Sequence, residues 1–121
     1  MVVCDRYIDS SLVLQRLDGV PVQDIVAINR GILRPDLRVR LYLDEDLLDR
    51  RLTARPANPA LRFEQAPDAA ARELRLYEDA DRLLALEHGV PSMAFDTGIA
   101  VASEIAEVVA DAIRVRWPPR A

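Results

Sequence analysis

Residues 1–16 read MVVCDRYIDSSLVLQR. A short apolar run, Met1-Val2-Val3-Cys4, stops at Asp5-Arg6-Tyr7, and Ile8-Asp9-Ser10-Ser11 leads straight into a helical pattern. The run reads as a short buried strand. The helix after it, about 9–18, keeps Leu12, Val13 and Leu17 near helical spacing and stops at Gly19. In open parallel sheets, ligands gather just past the carboxyl ends of the strands. A buried strand ending in an acid, an arginine and small hydroxyls therefore marks Asp5, Arg6, Ser10 and Ser11 as candidate site residues.

Working outward, Pro21 opens a second helix over about 21–32, with Val22, Ile25, Val26, Ile28 and Asn29 repeating before Gly31. After the turn at Pro35-Asp36, Leu37, Val39, Leu41 and Leu43 alternate with Arg38, Arg40 and Tyr42. Strict alternation predicts a strand with one wet face, on which Arg38 and Arg40 serve as edge protection or as plain surface residues. Asp44 reads as the N-cap of a helix to about Ala54, with Leu48 and Leu52 inward. Residues 56–67, PANPALRFEQAP, hold three prolines and read as a loop. A long helix follows over about 68–88, closed by Gly89, with Ala70, Leu74, Tyr77 and Leu84 inward. Residues 91–95 read as a strand ending at Asp96, and Ile105, Val108, Val109, Ala112 and Ile113 give the last helix, about 101–114, one apolar face. This alternation means an α/β fold with a parallel sheet of about three strands, in one domain spanning 1–121.

Composition bounds the partners. The net charge of −4 leaves no electrostatic footprint for nucleic acid. All sixteen basic residues are arginine. The phosphate-cradling loop G-x-x-x-x-G-K-[ST] needs a lysine, and no two glycines have its spacing, so that mode of ATP binding is excluded for this chain. One cysteine and one histidine exclude an internal disulfide and a Cys/His zinc site. Cys4 reads as a small buried hydrophobe in a reducing, cytoplasmic setting. No run approaches membrane-spanning length, and the N-terminus carries no basic leader. His88, in the last turn of a helix, reads as a partner of the helix dipole rather than an acid–base group.

Taken in order, these residues resemble the C-terminal part of the thymidylate kinases, the resemblance running over nearly the whole chain. Val3-Cys4-Asp5-Arg6-Tyr7-Ile8-Asp9-Ser10-Ser11 is similar to that family's strand and DRY motif, and Pro35-Asp36-Leu37 to its PDL. Arg51 and Arg55, with Arg62-Phe63-Glu64, resemble its arginine-bearing lid and RFE motif, a lid region of about 51–66. Tyr77 and Asp96 fall where that family has a helix tyrosine and the end of its last strand. The resemblance implies part of a P-loop-kinase-like (Rossmann-like) three-layer fold, with helices on both faces of the sheet. It implies phosphorylation of dTMP to dTDP with ATP and Mg2+. Arg6 would hold the dTMP phosphate, for which a guanidinium fork is suited. Asp5 would lie near the transferred phosphoryl group or, on the plainer reading, cap the helix or pair with Arg6. Ser10, Ser11, Leu14 and Gln15 would line the nucleoside pocket, with local helix capping as the plainer reading of the serines. Arg51, Arg55 and Arg62 would close on the phosphates, and Phe63 and Tyr77 would pack.

The chain departs from that pattern at three places. No P-loop precedes the DRY motif. Leu14 stands where the family has Tyr or Phe, and Arg16 where it has Gly. Matched without a gap, the first acid of the family's LDVDPE becomes Tyr42, and only Asp44 survives. In that family the P-loop strand separates the DRY and PDL strands. Without it, residues 1–4 and 37–43 either pair directly, receive a strand from another polypeptide, or belong to a fragment. That Met1 starts inside a core strand points to the last two. The expectation is a dTMP-kinase-like chain inactive alone, with a second copy or a P-loop-bearing polypeptide as partner. The alternative is a non-catalytic nucleotide-binding or kinase-associating module. A third reading is a decayed gene product without a selected function.

Overall fold

The computed structural model describes residues 1–54, 68–90 and 92–119. Its elements run α1 (Ile8–Leu17), α2 (Val22–Ile28), β1 (Arg38–Tyr42), α3 (Glu45–Ala54), α4 (Ala69–His88), β2 (Ser92–Asp96) and α5 (Ala102–Arg116). β1 and β2 pair in parallel, with Arg38 opposite Ser92 and Tyr42 opposite Asp96. The chain is thus α/β, consistent with part of a Rossmann-like fold, with two strands among the described residues. No described helix is long and apolar enough to cross a membrane.

Each helix follows from local chemistry. Ile8 and Leu12 are one turn apart on α1 and both buried, so α1 presents an apolar stripe. Asp44 caps α3 as read, its Oδ1 accepting the Asp46 N–H at 3.0 Å. Leu48 and Leu52 are the half-buried apolar residues of α3. Gly89, at φ +63, closes α4 in the left-handed region and donates its N–H to the Ala85 carbonyl. On α4, Ala70 and Leu84 are buried and Leu74 and Tyr77 half-buried, with Ala80 an added contact. At the other end, Val101 N–H donates to Glu104 Oε2 and opens α5.

The core is a three-helix cluster. Ile8, Leu12 and Val13 of α1, Ile25 of α2, and Ala80 and Leu84 of α4 form it, ringed by Val22, Val26, Leu76, Tyr77 and Leu83. α1 packs against both α2 and α4, and α3 against α4, whereas α5 packs closely against none of them. Its apolar face is therefore only half covered: Ile105, Val109 and Ile113 are half-buried and Val108 is exposed.

Three expectations are corrected. Residues 1–4 form no strand, and Met1, Val2 and Val3 are 97%, 87% and 80% exposed. Cys4 is exposed, not buried. A strand exists only through a ladder, and four residues with no neighbouring strand have nothing to satisfy their backbone groups except water. Direct pairing with β1 is absent, so the sheet holds two described strands rather than three. The third correction is the wet face. Arg38 is buried, Arg40 half-buried, and Val39 and Leu41 are exposed, so β1 turns its arginines inward.

Candidate functional site

The Asp5-Arg6-Tyr7 turn is anchored on its C-terminal side. The Tyr7 hydroxyl donates to the Leu33 carbonyl at 3.0 Å. Two residues on, Asp9 Oδ1 accepts from Arg38 Nη1 at 2.9 Å. Between these anchors and the N-terminus, Arg6 sits at φ +68, in the left-handed region that costs a side-chain-bearing residue energy. Arg6 is exposed, and among the described residues it makes no ion pair. Asp5 is exposed and neither pairs with Arg6 nor caps α1, whose N-cap position is Tyr7. The turn thus offers a guanidinium with no ion pair among the described residues, just ahead of two anchored residues.

Arg38 is the main electrostatic hub. Its side chain is 6% exposed. Nη1 reaches Asp9 at 2.9 Å and Asp81 Oδ1 at 3.0 Å, the latter an ion-pair contact without hydrogen-bond alignment. Nη2 donates to the carbonyls of Val90 at 3.1 Å and Asp81 at 3.4 Å. One guanidinium so ties β1 to the first turn of α1, to α4 and to the segment leading into β2. No sequence motif flags this. Asp9, Arg38 and Asp81 are far apart in the chain, and an arginine in an alternating strand reads as surface.

These contacts also settle which end of the sheet carries the turn. Tyr7 bonds Leu33, before β1 begins, and Asp9 bonds Arg38, its first residue. The turn therefore lies at the amino end of β1, not at the carboxyl end where a parallel sheet gathers ligands. The carboxyl end, about 13 Å away along a five-residue strand, carries Asp44 and Asp96. Both carboxylates are engaged locally, Asp44 with Asp46 N–H and Asp96 with Gly98 N–H at 2.8 Å. Thr97 completes that turn through N–H and Oγ1, both donating to the Tyr42 carbonyl. A Cβ on Gly98 would lie 3.1 Å from Asp96 Oδ1 and 3.2 Å from Leu43 and Leu47, so the turn is closed.

Of the other candidates, Ser10 is buried, and Ser11, Leu14 and Gln15 are half-buried on α1. Neither serine makes a side-chain cap bond to α1. Arg16 pairs with Asp79 at 3.6 Å. Arg51 is exposed in the last turn of α3. Arg55, Arg62 and Phe63, with most of the lid region, lie outside the described residues. His88 is half-buried at the end of α4, its buried Nδ1 without a hydrogen-bond partner.

The donor set does not fit Mg2+ and ATP within this chain. No lysine is present, and no group of three or more His, Cys, Asp or Glu residues converges among the described residues. At the carboxyl end of the sheet, Asp44 and Asp96 each accept one backbone N–H through Oδ1.

Comparison with known proteins places part of the chain. No family model matches it, and no solved structure does. A probable thymidylate kinase of Methanococcus aeolicus is 48% identical over 44 residues, which is 36% of this chain and 21% of that protein. A probable thymidylate kinase of Staphylothermus marinus is 44% identical over 46 residues, 38% of this chain and 22% of that one. The matched stretch spans about a fifth of the length of these curated relatives. Over that stretch the chain is related to thymidylate kinases, and the relationship is local.

Proposed function

We propose that this chain carries the acceptor-monophosphate part of a thymidylate-kinase-like phosphotransferase, binding dTMP or a similar nucleoside monophosphate. The local similarity to two probable thymidylate kinases supports the reading. The observation that carries it in the structure is Arg6, exposed, without an ion pair among the described residues, and in the left-handed region just ahead of the anchored Tyr7 and Asp9. In this reading Arg6 binds the phosphate bidentately, and Ser10, Ser11, Leu14 and Gln15 line the nucleoside. Asp5 lies near the reacting phosphoryl group, and Arg51, Arg55 and Arg62 close over it.

ATP with magnesium is the phosphoryl donor in that chemistry, and this chain's residues do not build its site. The chain alone therefore binds acceptor without turning it over. A P-loop-bearing polypeptide supplies the donor side, and a second copy packs through α2.

Calorimetric titration with dTMP tests the reading. Removing a bidentate charge-assisted contact costs about 1.5–3 kcal/mol, so Arg6→Ala is expected to weaken dTMP by at least about tenfold. Arg6→Gly is expected to lose the same affinity while keeping a melting midpoint at or above that of the parent chain, because glycine accepts φ +68 without strain. Unchanged affinity in both variants, or no binding by the parent chain, overturns the proposal. An ADP-release assay with dTMP and ATP is expected to stay at background, and turnover by the purified chain would contradict the missing donor site.

Non-catalytic association with a full-length kinase is the second reading, favoured by the exposed Val39 and Leu41 beside a strand edge unpaired among the described residues. Complex formation without dTMP binding distinguishes it.

A further inference from the structure

Where the last turn of α4, the end of α2 and the first turn of α1 meet, they leave a cleft of about 230 Å³. Its floor is the core itself: Ile8, Leu12 and Leu84 are each no more than 4% exposed. Arg30, Arg34, Glu87 and His88 stand around it. Among the described residues, neither arginine has an ion-pair or hydrogen-bonding side-chain partner. His88 lines the same cleft with its Nδ1 buried.

An apolar floor with a few convergent polar groups is the usual build of a small-molecule site. Two guanidiniums against one carboxylate leave the fixed charges of the rim positive by one. We propose that this cleft binds a small amphipathic monoanion, an aromatic or branched-chain carboxylate. Its apolar body lies on Ile8, Leu12 and Leu84, and its carboxylate meets Arg30 and Arg34. Glu87 disfavours a dianion and keeps bare phosphate out. The volume is below the roughly 300–1,000 Å³ of drug-sized pockets, which limits the body to about one ring. The site uses none of Asp5, Arg6 and Tyr7, although Tyr7 bonds Leu33, between the lining residues Ile32 and Arg34.

Benzoate is the probe, with benzyl alcohol as its neutral counterpart and inorganic phosphate as the bare anion. Titration of the full chain followed by amide NMR is expected to give saturable shifts at the start of α1, the end of α4 and residues 29–34. Arg30→Gln/Arg34→Gln, both on exposed side chains that leave folding intact, is expected to weaken benzoate by about tenfold or more, the scale of one lost charge-assisted contact. Absence of saturable shifts, equal binding of benzyl alcohol, equal binding of phosphate, or a double variant with undiminished affinity each overturns the proposal.

Discussion

Arg38 shows how one side chain can decide an arrangement. A guanidinium is tolerated inside only when its charge is answered, and here two carboxylates and two carbonyls meet Nη1 and Nη2, while the buried Nε has no hydrogen-bond partner among the described residues. Removing one member of a buried ion group strands the others, at a cost of about 3–5 kcal/mol. Arg38→Met is therefore expected to lower the unfolding free energy by that amount in a urea melt. Adding Asp9→Asn and Asp81→Asn to it should recover most of the loss, because the stranded charges are then gone. A single variant as stable as the parent would show that the hub is not held in solution. Sequence alone made Arg6 conspicuous, through its neighbours in a motif. It could not do so for Arg38, whose partners come from three separate segments.

At the level of elements, the helices and the strands were legible to different degrees. A helix makes its hydrogen bonds within itself, so periodicity and caps locate it. α1, α3, α4 and α5 lie within a few residues of where spacing puts them. α2 ends earlier than its apolar repeat suggested, at Ile28, and that residue is exposed. How much each helix contributes is a matter of packing. Leu12 is buried against α2 and α4, so Leu12→Ala is expected to cost about 3 kcal/mol. Val109, on the half-covered face of α5, is expected to cost under about 1 kcal/mol on the same change. Amides of α5 should correspondingly exchange with solvent faster than those of α1 and α4. The Met1–Cys4 segment is the opposite case. Its composition reads as strand, but no neighbour pairs with it. Val2→Asp/Val3→Asp is expected to leave the melt within about 0.5 kcal/mol of the parent, as for exposed positions. A loss of several kcal/mol would mean that the segment is buried in a strand after all.

For the whole molecule, the sheet's orientation is the feature with most consequence. Val39 pairs with Met93 and Leu41 with Phe95, so these four share one face of the sheet. Val39 and Leu41, the members from β1, are exposed on it. The face carrying Arg38 meets α1 and α4 instead. Leu41→Asp is accordingly expected to leave stability within about 0.5 kcal/mol, measured by urea melt, whereas a covered Leu41 would lose several. The Asp5-Arg6-Tyr7 turn shares this dependence on assembly. Its residues were readable as a phosphate-binding set, yet the Tyr7–Leu33 and Asp9–Arg38 contacts carry it to the amino end of β1. By itself, the sequence determined the α/β class, most of the helices, the two paired strands and the absence of a lysine-bearing phosphate loop, because periodicity, caps and composition are local properties. Tertiary structure alone decided that Met1–Cys4 stays unpaired, that the arginines of β1 face inward, and which end of the sheet bears the turn. Strand pairing and ion-pair partners join residues remote in the chain, and no spacing within one segment encodes them.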